Sequence, residues 1–280
     1  MKYACVIMTG NAKSYADLAS EAEAAGWDAA FIADAIGIET KDYPASEWFD
    51  PWVVLAVMAE RTERILLGTL ITPISRRRPW KLAREVSTLD HLSGGRMILS
   101  VGLGAAEHDG GFYKVGEQMD LRVRAELMDE GLAIVDGLWK GKPFSLTGKH
   151  YKVEKMTMLP RPLQKPRVPI WVVGVWPKEK SMRRAVSWDG AIMQKYGATP
   201  GDKAKPEDVR ALAEFARSRR TKKSPFDIVV GGSSTGKNRN RGRDEAAALR
   251  EAGATWWLES FWSAKDIKSI VRWIRQGPPS

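Results

Sequence analysis

Apolar runs of strand length alternate with longer helical patterns eight times along the 280 residues, and this alternation predicts an α/β protein, a (β/α)8 TIM barrel. Two further observations support it. The strand candidates are apolar throughout rather than at every second residue, as strands covered on both faces by helices must be. Eight such units also fit the roughly 250 residues that a barrel of this kind takes. A doubly wound open sheet is the alternative architecture. No low-complexity linker divides the chain, so residues 1–280 read as one domain.

The first strand is read at Tyr3 to Met8. Its helix starts at Ser14, where Ser14, Tyr15, Leu18 and Ala22 keep helical spacing until Gly26 stops it. Ala29 to Ala33 is the second strand; a loop rich in Gly, Pro and acids then leads to a helix from Asp50 to Thr62, with Pro51 in its first turn. Ile65 to Ile71 is the third strand and Trp80 to Leu92 its helix. After the turn Ser93-Gly94-Gly95 come the fourth strand, Met97 to Val101, a glycine-rich loop and a long helix from Leu121 to Trp139. Residues 141 to 168 interrupt the rhythm with four prolines and an extended Lys149 to Val153, an excursion between helix four and strand five that fits a hairpin. The remaining strands are Ile170 to Val173, Ala191 to Gln194, Phe226 to Val230 and Thr255 to Leu258. Their helices begin at Lys178, span Pro206 to Ser218 and Arg243 to Ala252, and close the chain with Lys265 to Arg275.

With 44 Lys+Arg against 34 Asp+Glu the net charge is +10, and 44% of residues are hydrophobic, which excludes disorder as the main theme. No apolar run approaches the roughly 18 residues of a membrane span, and the opening MKYACVIMTG lacks a signal pattern, so the sequence predicts a soluble, cytoplasmic protein without membrane partners. Cys5, the single cysteine, reads as a small buried hydrophobe. His91, His108 and His150 are too widely spaced for a local metal-ligand pattern, and no metal is predicted. The basic excess fits nucleic acid, an anionic membrane surface, an acidic cofactor or nothing beyond solubility, and selects none of them.

In such a barrel the site lies on the loops after the carboxyl ends of the strands, because those loops carry different side chains without disturbing the core. The candidates are therefore Thr9-Gly10-Asn11, Asp34, Thr72-Pro73, Gly102-Leu103-Gly104 with Glu107 and His108, Gly174-Val175-Trp176, Lys195-Tyr196-Gly197, the 231 to 243 loop and Glu259-Ser260. Glu107 and His108 are the pair best placed for acid/base work, histidine having the side-chain pKa nearest neutrality. Asp34 reads as a base, a hydrogen-bond acceptor or the partner of a neighbouring arginine. Gly102 and Gly104 would let a flat ligand approach the backbone. The run from Gly231 to Lys237 nearly spells a P-loop, but Asn238 stands where the magnesium-binding hydroxyl belongs and only 42 residues follow it. Its alternatives are a plain flexible loop or a backbone nest for a phosphate. Of the 12 tryptophans, Trp48, Trp52, Trp80, Trp176, Trp256, Trp257 and Trp262 fall in or near the predicted loop face, most as packing residues and a subset as stacking partners for a planar ligand.

The run Thr62-Glu63-Arg64-Ile65-Leu66-Leu67-Gly68-Thr69, then Arg78-Pro79, Leu82-Ala83-Arg84-Glu85, Thr88-Leu89-Asp90-His91-Leu92-Ser93-Gly94-Gly95-Arg96 and Val101-Gly102-Leu103-Gly104 resembles the bacterial luciferase-like oxidoreductases. Leu138-Trp139-Lys140-Gly141, Gly148-Lys149-His150-Tyr151, Pro160-Arg161-Pro162-Leu163-Gln164, Pro169-Ile170-Trp171, Asp189-Gly190 and Ala252-Gly253-Ala254-Thr255-Trp256-Trp257 follow in the family's order, so the resemblance covers nearly the whole chain.

That resemblance implies a barrel binding reduced FMN, or the deazaflavin coenzyme F-420, for hydride transfer or oxygen activation on a small organic substrate, as an oxidoreductase or monooxygenase. It also implies a homodimer. The ring would lie by Met8, Asp34, Thr69, Leu70 and Gly102, Leu103 and Gly104, and the phosphate by Gly174, Val175 and Trp176, with Lys178 or Arg183 as countercharges. A non-proline cis peptide would fall near Thr69-Leu70. Two departures narrow the chemistry. The sugar-phosphate dehydrogenase branch carries a His after the strand-two Asp and a Glu after the strand-four glycines, where this chain has Ala35 and Ala105; the luciferases carry an Arg where Leu103 stands. A flavin-binding barrel without turnover is the alternative reading, and a nucleic-acid binder a minor one. Arg76-Arg77-Arg78, Lys222-Lys223 and the basic stretch from Lys237 to Arg243 do not share a face, so no nucleic acid is expected. The clusters after strands three and seven are expected to meet an anionic cofactor tail.

Overall fold

The computed structural model describes residues 1–8, 10–37, 39, 47–105, 111–197, 203–222, 224–235, 239–261, 264 and 266–279. Eight parallel strands, β1 (Lys2–Ile7), β2 (Ala29–Ile32), β3 (Leu66–Thr69), β5 (Met97–Gly102), β8 (Ile170–Trp176), β9 (Gly190–Lys195), β10 (Asp227–Gly232) and β11 (Trp256–Ser260), pair around a closed barrel. The ring closes where Leu67 and Gly68 of β3 face Met97 and Ile98 of β5. A two-residue strand, β4 (Thr72–Pro73), extends the β3 side by pairing with Val101 and Gly102.

Each barrel strand is followed by its helix: α1 (Ser14–Ala24), α2 (Pro51–Glu60), α3 (Pro79–Leu92), α4 (Leu121–Trp139), α5 (Glu179–Val186), α6 (Pro206–Arg219), α7 (Arg239–Glu251) and α8 (Ile267–Arg275). The starts have local causes. Asp50 caps α2 by accepting from the amides of Trp52 and Val53, Asp120 caps α4 at Val123, and Asp266 caps α8 at Ser269. Proline opens α2, α3 and α6, where its missing N–H would be unpaired in any case.

Strand alternation divides the core in two. Ala4, Val6, Phe31, Ile98, Trp171, Val229, Trp256 and Leu258 fill the barrel, while their neighbours Cys5, Ile7, Leu67, Leu99, Val172 and Val230 pack outward against the helices. This is why the strands read as continuously apolar. Gly68 is required inside, since a Cβ there would stand 2.3 Å from the Ile98 carbonyl and 2.8 Å from the Phe31 ring. Trp171 and Trp256 meet edge to face at 5.1 Å at the amino-terminal floor, with the Trp171 indole donating to Asp227. Trp256, expected near the loop face, is thus at the opposite end of the barrel.

The excursion is an antiparallel hairpin of β6 (Phe144–Thr147) and β7 (Lys152–Met156). Lys149 and His150, expected in an extended segment, lie in its turn instead, because the Glu130 carboxylate of α4 collects the amides of Lys149, His150 and Tyr151. The α7 helix begins at Arg239, ahead of the expected Arg243. Gly242, which reads as a helix breaker, is buried there against Ser234, whose Cβ would lie 2.4 Å from an added methyl.

Cys5 is fully buried on the outward side of β1, and desolvation pushes its thiol up to about 12. Because the thiolate is the nucleophile, the folded chain at pH 8 is expected to be inert to Ellman's reagent and to yield one thiol per chain only in denaturant. Stoichiometric labelling of the native protein within minutes would contradict this placement.

Candidate active site

The carboxyl ends of the strands open into a mouth whose lining follows from the register. Met8, Leu70 and Ile192 pack onto the apolar cluster inside the barrel. Val173 stands opposite Ile192, Val175 opposite Gln194, Gly231 opposite Leu258 and Ser260 opposite Val6, so the alternation turns Val173, Val175, Gln194, Gly231 and Ser260 toward the same opening. Gln194 and Gly231 are exposed, and a Cβ on Gly231 would meet nothing within 4 Å. Ser100, on the inward side of β5, buries its hydroxyl with no hydrogen-bond partner among the described residues. The mouth is therefore apolar at its floor, with an amide and hydroxyls around it.

Asp34 lies two residues past the end of β2, on the other side of the strand wall, and is only 4% exposed. Arg76 Nη2 donates to its Oδ1 at 3.1 Å and to its main-chain carbonyl at 2.8 Å, while Arg77 Nη2 donates to Oδ1 and Oδ2 at 2.8 and 2.9 Å. Thr72 Oγ1 donates to Oδ2 at 3.0 Å. The Thr72 proton being spent there, Thr69 Oγ1 is the donor in the 2.8 Å contact between the two hydroxyls. Both carboxylate oxygens are thus taken, and of the readings of Asp34 the structure supports the arginine partner rather than a free base or a cofactor ligand. The same geometry corrects the expectation for the strand-three cluster: Arg76 and Arg77 turn inward to Asp34, and only Arg78 of the three is exposed. Thr69 is buried in this chain of hydrogen bonds, and the cis peptide joins Leu70 to Ile71, one residue beyond the expected place.

The glycines do different work from one another. A Cβ on Gly102 would stand 2.2 Å from Ile71 Cδ1 and 3.2 Å from Val173, so protein atoms fill the space expected for a flat ligand. Gly104 adopts φ +75°, a left-handed conformation that favours glycine. Gly174 faces α5, where a Cβ would lie 2.7 Å from Met182 Sδ. Next to it the Val175 amide is already bound by Ser181 Oγ at 3.0 Å, and the Trp176 ring packs edge to face on Phe215 rather than over the mouth. The proposed phosphate position after strand five therefore offers neither the Val175 amide nor the Trp176 ring. Leu103 is partly buried, and its carbonyl and that of Gly104 accept from Arg124 Nη1 at 2.6 and 2.8 Å. Glu107 and His108 lie outside the described residues.

Arg124 escaped the sequence reading, as did Phe112, whose ring centroid has the Arg76 and Arg124 guanidiniums at 5.4 and 5.5 Å. The available signal was a basic residue in the first turn of α4, where the helix dipole favours acids. Through Phe112 the loops after strands two, three and four become one connected unit.

After strand seven, Glu259 of β11 occupies the position an anion would take. Fully buried, it accepts from the Ser234 amide and hydroxyl, both at 2.7 Å, and from Trp257 Nε1 at 2.9 Å. Burial pushes its carboxyl above the usual range against those three hydrogen bonds. One amide of the supposed phosphate nest is thereby spent, and Gly232 lets the Trp257 ring pass, since a Cβ there would stand 2.0 Å from it. Lys237 and Asn238 lie outside the described residues, as do Thr9 and Trp262.

A sequence model of the luciferase-like monooxygenases matches residues 4–271. An F-420-dependent glucose-6-phosphate dehydrogenase of Microbacterium testaceum is 31% identical over 182 residues, 64% of this chain and 50% of that protein. The oxygenase component of a flavin-dependent trigonelline monooxygenase from Acinetobacter baylyi is 30% identical over 123 residues, 44% of this chain and 33% of that protein. The chain thus spans about half the length, or less, of the curated relatives it matches. Among solved structures, an F-420-dependent secondary alcohol dehydrogenase in complex with an F-420-acetone adduct superposes with a TM-score of 0.76 at 17% identity, over 99% of this chain and 98% of that one. The coenzyme F-420-dependent tetrahydromethanopterin reductase of Methanopyrus kandleri superposes with 0.74 at 16% identity, over 98% and 97%. At these identities the structural likeness concerns the fold.

Proposed function

Since the chain belongs to the luciferase-like monooxygenase family, we propose that it is an oxidoreductase that binds reduced FMN or the deazaflavin coenzyme F-420 and acts on a small organic substrate by hydride transfer or oxygen activation. The observation that carries this reading is the mouth itself. Met8 and Leu70 form an apolar floor at the strand ends, and Gly231 leaves open space beside it. These residues fit a flat ring system, with the Gln194 amide and the Ser260 hydroxyl placed to meet its polar edge. When bound, the reduced ring supplies the electron pair for the reaction. The chain's own part is to seat the ring on Met8 and Leu70, to keep water from its buried face, and to hold the surrounding loops still through Asp34, Arg76, Phe112 and Arg124. We assign acid/base work to Glu107 and His108 on the strand-four loop. The same reading carries a homodimer in the cytoplasm, which sedimentation velocity of the purified chain tests for assembly.

The functional test is a titration of the chain with FMN and with F-420 followed by absorbance and fluorescence, in wild type and in Leu70→Glu. A carboxylate placed on the apolar floor is expected to weaken the true cofactor by at least about tenfold, the scale of an uncompensated buried charge. Failure of both cofactors to bind the wild type would end the proposal. Anaerobic reduction of the bound cofactor, followed by mixing with oxygen or a candidate substrate, separates turnover from a binding-only barrel: faster oxidation than in free solution marks an enzyme.

A further inference from the structure

The amino-terminal end of the barrel, opposite the mouth, gathers cations that the sequence scatters. α5 and α6 both end there, and the segment from Arg220 to Phe226 leads on into β10. Two adjoining cavities flank that segment, one of about 770 Å³ against α6, β10 and the end of α7, and one of about 440 Å³ where α5 and α6 end. Arg220 and Lys222 line both, Arg210 and Arg217 the larger, Arg183 and Arg219 the smaller. Among the described residues, Glu214 and Glu251 are the only carboxylates lining either.

Few of these cations are paired. Arg183 and Arg219 share one carboxylate, Glu179, at 2.7 and 3.7 Å. Arg210, Arg217, Arg220 and Lys222 have no carboxylate within ion-pair distance among the described residues. Arg220 donates from Nη1 to the Val186 and Trp188 carbonyls and from Nη2 to that of Ser224, which fixes the guanidinium without neutralising it. Lys222 gives one of its three protons to the Ser187 carbonyl at 2.8 Å. Arg210 and Arg217 donate to nothing among the described residues, and stand exposed two turns apart on one face of α6.

Hollows walled by one sign of charge concentrate the field between their walls, and guanidinium and ammonium groups meet phosphate oxygens by charge-assisted hydrogen bonds. The nearby rings are already in use: Arg219, Arg220 and Lys222 lie over Phe215, Phe226 and Trp188 at 5.7, 4.5 and 5.5 Å. No ring is left for a base to stack on, and a duplex is too wide to enter either hollow. We propose that this end of the barrel binds a linear chain of phosphates, an inorganic polyphosphate, laid past Lys222 from one cavity to the other. Arg210, Arg217 and Lys222 donate to it, and Arg220 supplies fixed charge. The site lies at the far end of the barrel from the mouth and requires no cofactor, so it stands or falls independently of the function proposed there.

The test is calorimetry of the full chain, without cofactor, against sodium tripolyphosphate. Wild type is compared with Arg217→Gln/Lys222→Gln, with Arg217→Gln alone, and with Lys152→Gln, an exposed lysine of the β6–β7 hairpin that lines neither cavity. Tripolyphosphate should bind the wild type and weaken as salt rises. The double variant should lose about tenfold or more and the single variant about threefold, while Lys152→Gln changes nothing. Arg217 makes no internal hydrogen bond among the described residues, so the single variant keeps the test open should circular dichroism show the double one unfolded. ATP should bind no more tightly than tripolyphosphate, and a single-stranded DNA oligonucleotide less tightly than a polyphosphate of equal charge. A wild type that does not bind tripolyphosphate, or folded variants that bind it as well as the wild type, would overturn the inference. So would tighter binding of ATP or of the oligonucleotide, which would make a base part of the ligand.

Discussion

Arg96→Ala is expected to destabilise the fold by about 3–5 kcal/mol, the cost of stripping the partner from a buried polar network. The five N–H groups of this guanidinium all find acceptors: Nε the Ser93 carbonyl at 2.6 Å, Nη1 Thr62 Oγ1 and the Ile65 carbonyl at 2.9 and 2.8 Å, and Nη2 the Ala59 and Thr62 carbonyls at 2.9 and 2.7 Å. Three of those carbonyls belong to the last turn of α2 and the turn leading to β3, where helix carbonyls would otherwise be unpaired. Among the described residues no carboxylate lies within ion-pair distance of the group. Burial lowers its pKa while the more distant Glu23 and Glu63 raise it, and at any pH where the chain is folded it stays charged. Arg96→Lys keeps the charge but has at most three donors on one point, so it should recover only part of the loss, to about 2 kcal/mol. Urea unfolding checks both: the midpoint should fall with the slope unchanged. A loss under about 1 kcal/mol for Arg96→Ala would mean that water replaces the guanidinium and that the network is not what joins α2 to β3.

Asp34→Ala should cost a similar amount and, in addition, disable the mouth. The substitution leaves Arg76 with no carboxylate within ion-pair distance among the described residues, and Arg77 with Asp50 at 3.9 Å. The side chains of Asp34, Arg76 and Arg77 are 1%, 10% and 19% exposed, so solvent compensates little, and about 3–5 kcal/mol is expected from breaking such a pair on one side. Thr72 loses its acceptor, and with it the hydroxyl chain that holds Thr69 next to Leu70 of the apolar floor. Cofactor affinity should therefore fall in Asp34→Ala although the carboxylate itself does not face the mouth. The double variant Asp34→Ala/Arg77→Leu separates positioning from chemistry: removing one stranded cation should recover about 1–3 kcal/mol by double-mutant cycle and part of the affinity. A variant that keeps wild-type stability and binds the cofactor normally, yet is catalytically dead, would instead make Asp34 a group in contact with the reacting atoms.

The motifs that suggested the family turn out to have physical reasons that only contacts reveal. Ser93-Gly94-Gly95-Arg96 reads as a turn before a strand, and it is one, with Gly94 and Gly95 at φ +66° and +87°. Nothing local says that its arginine reaches across to Ala59, Thr62 and Ile65. The strand-three arginines were legible as a basic cluster and the strand-two aspartate as an acid, but their meeting joins residues 42 and 43 positions apart. Glycines 102 and 174 fell at the right ends of their strands, yet the neighbours that need them glycine are Ile71 and Met182.

By itself the sequence determined that the chain alternates strands and helices as a closed barrel, where the strands end, and hence which face is the candidate for the site, because hydrophobic periodicity, helix caps and turn glycines act over a few residues and are written in their order. Only the tertiary structure decided which charges remain available at that face. Charge pairing depends on distance and burial, not on order: Asp34 consumes two arginines, and Glu259 fills a loop that looked made for phosphate.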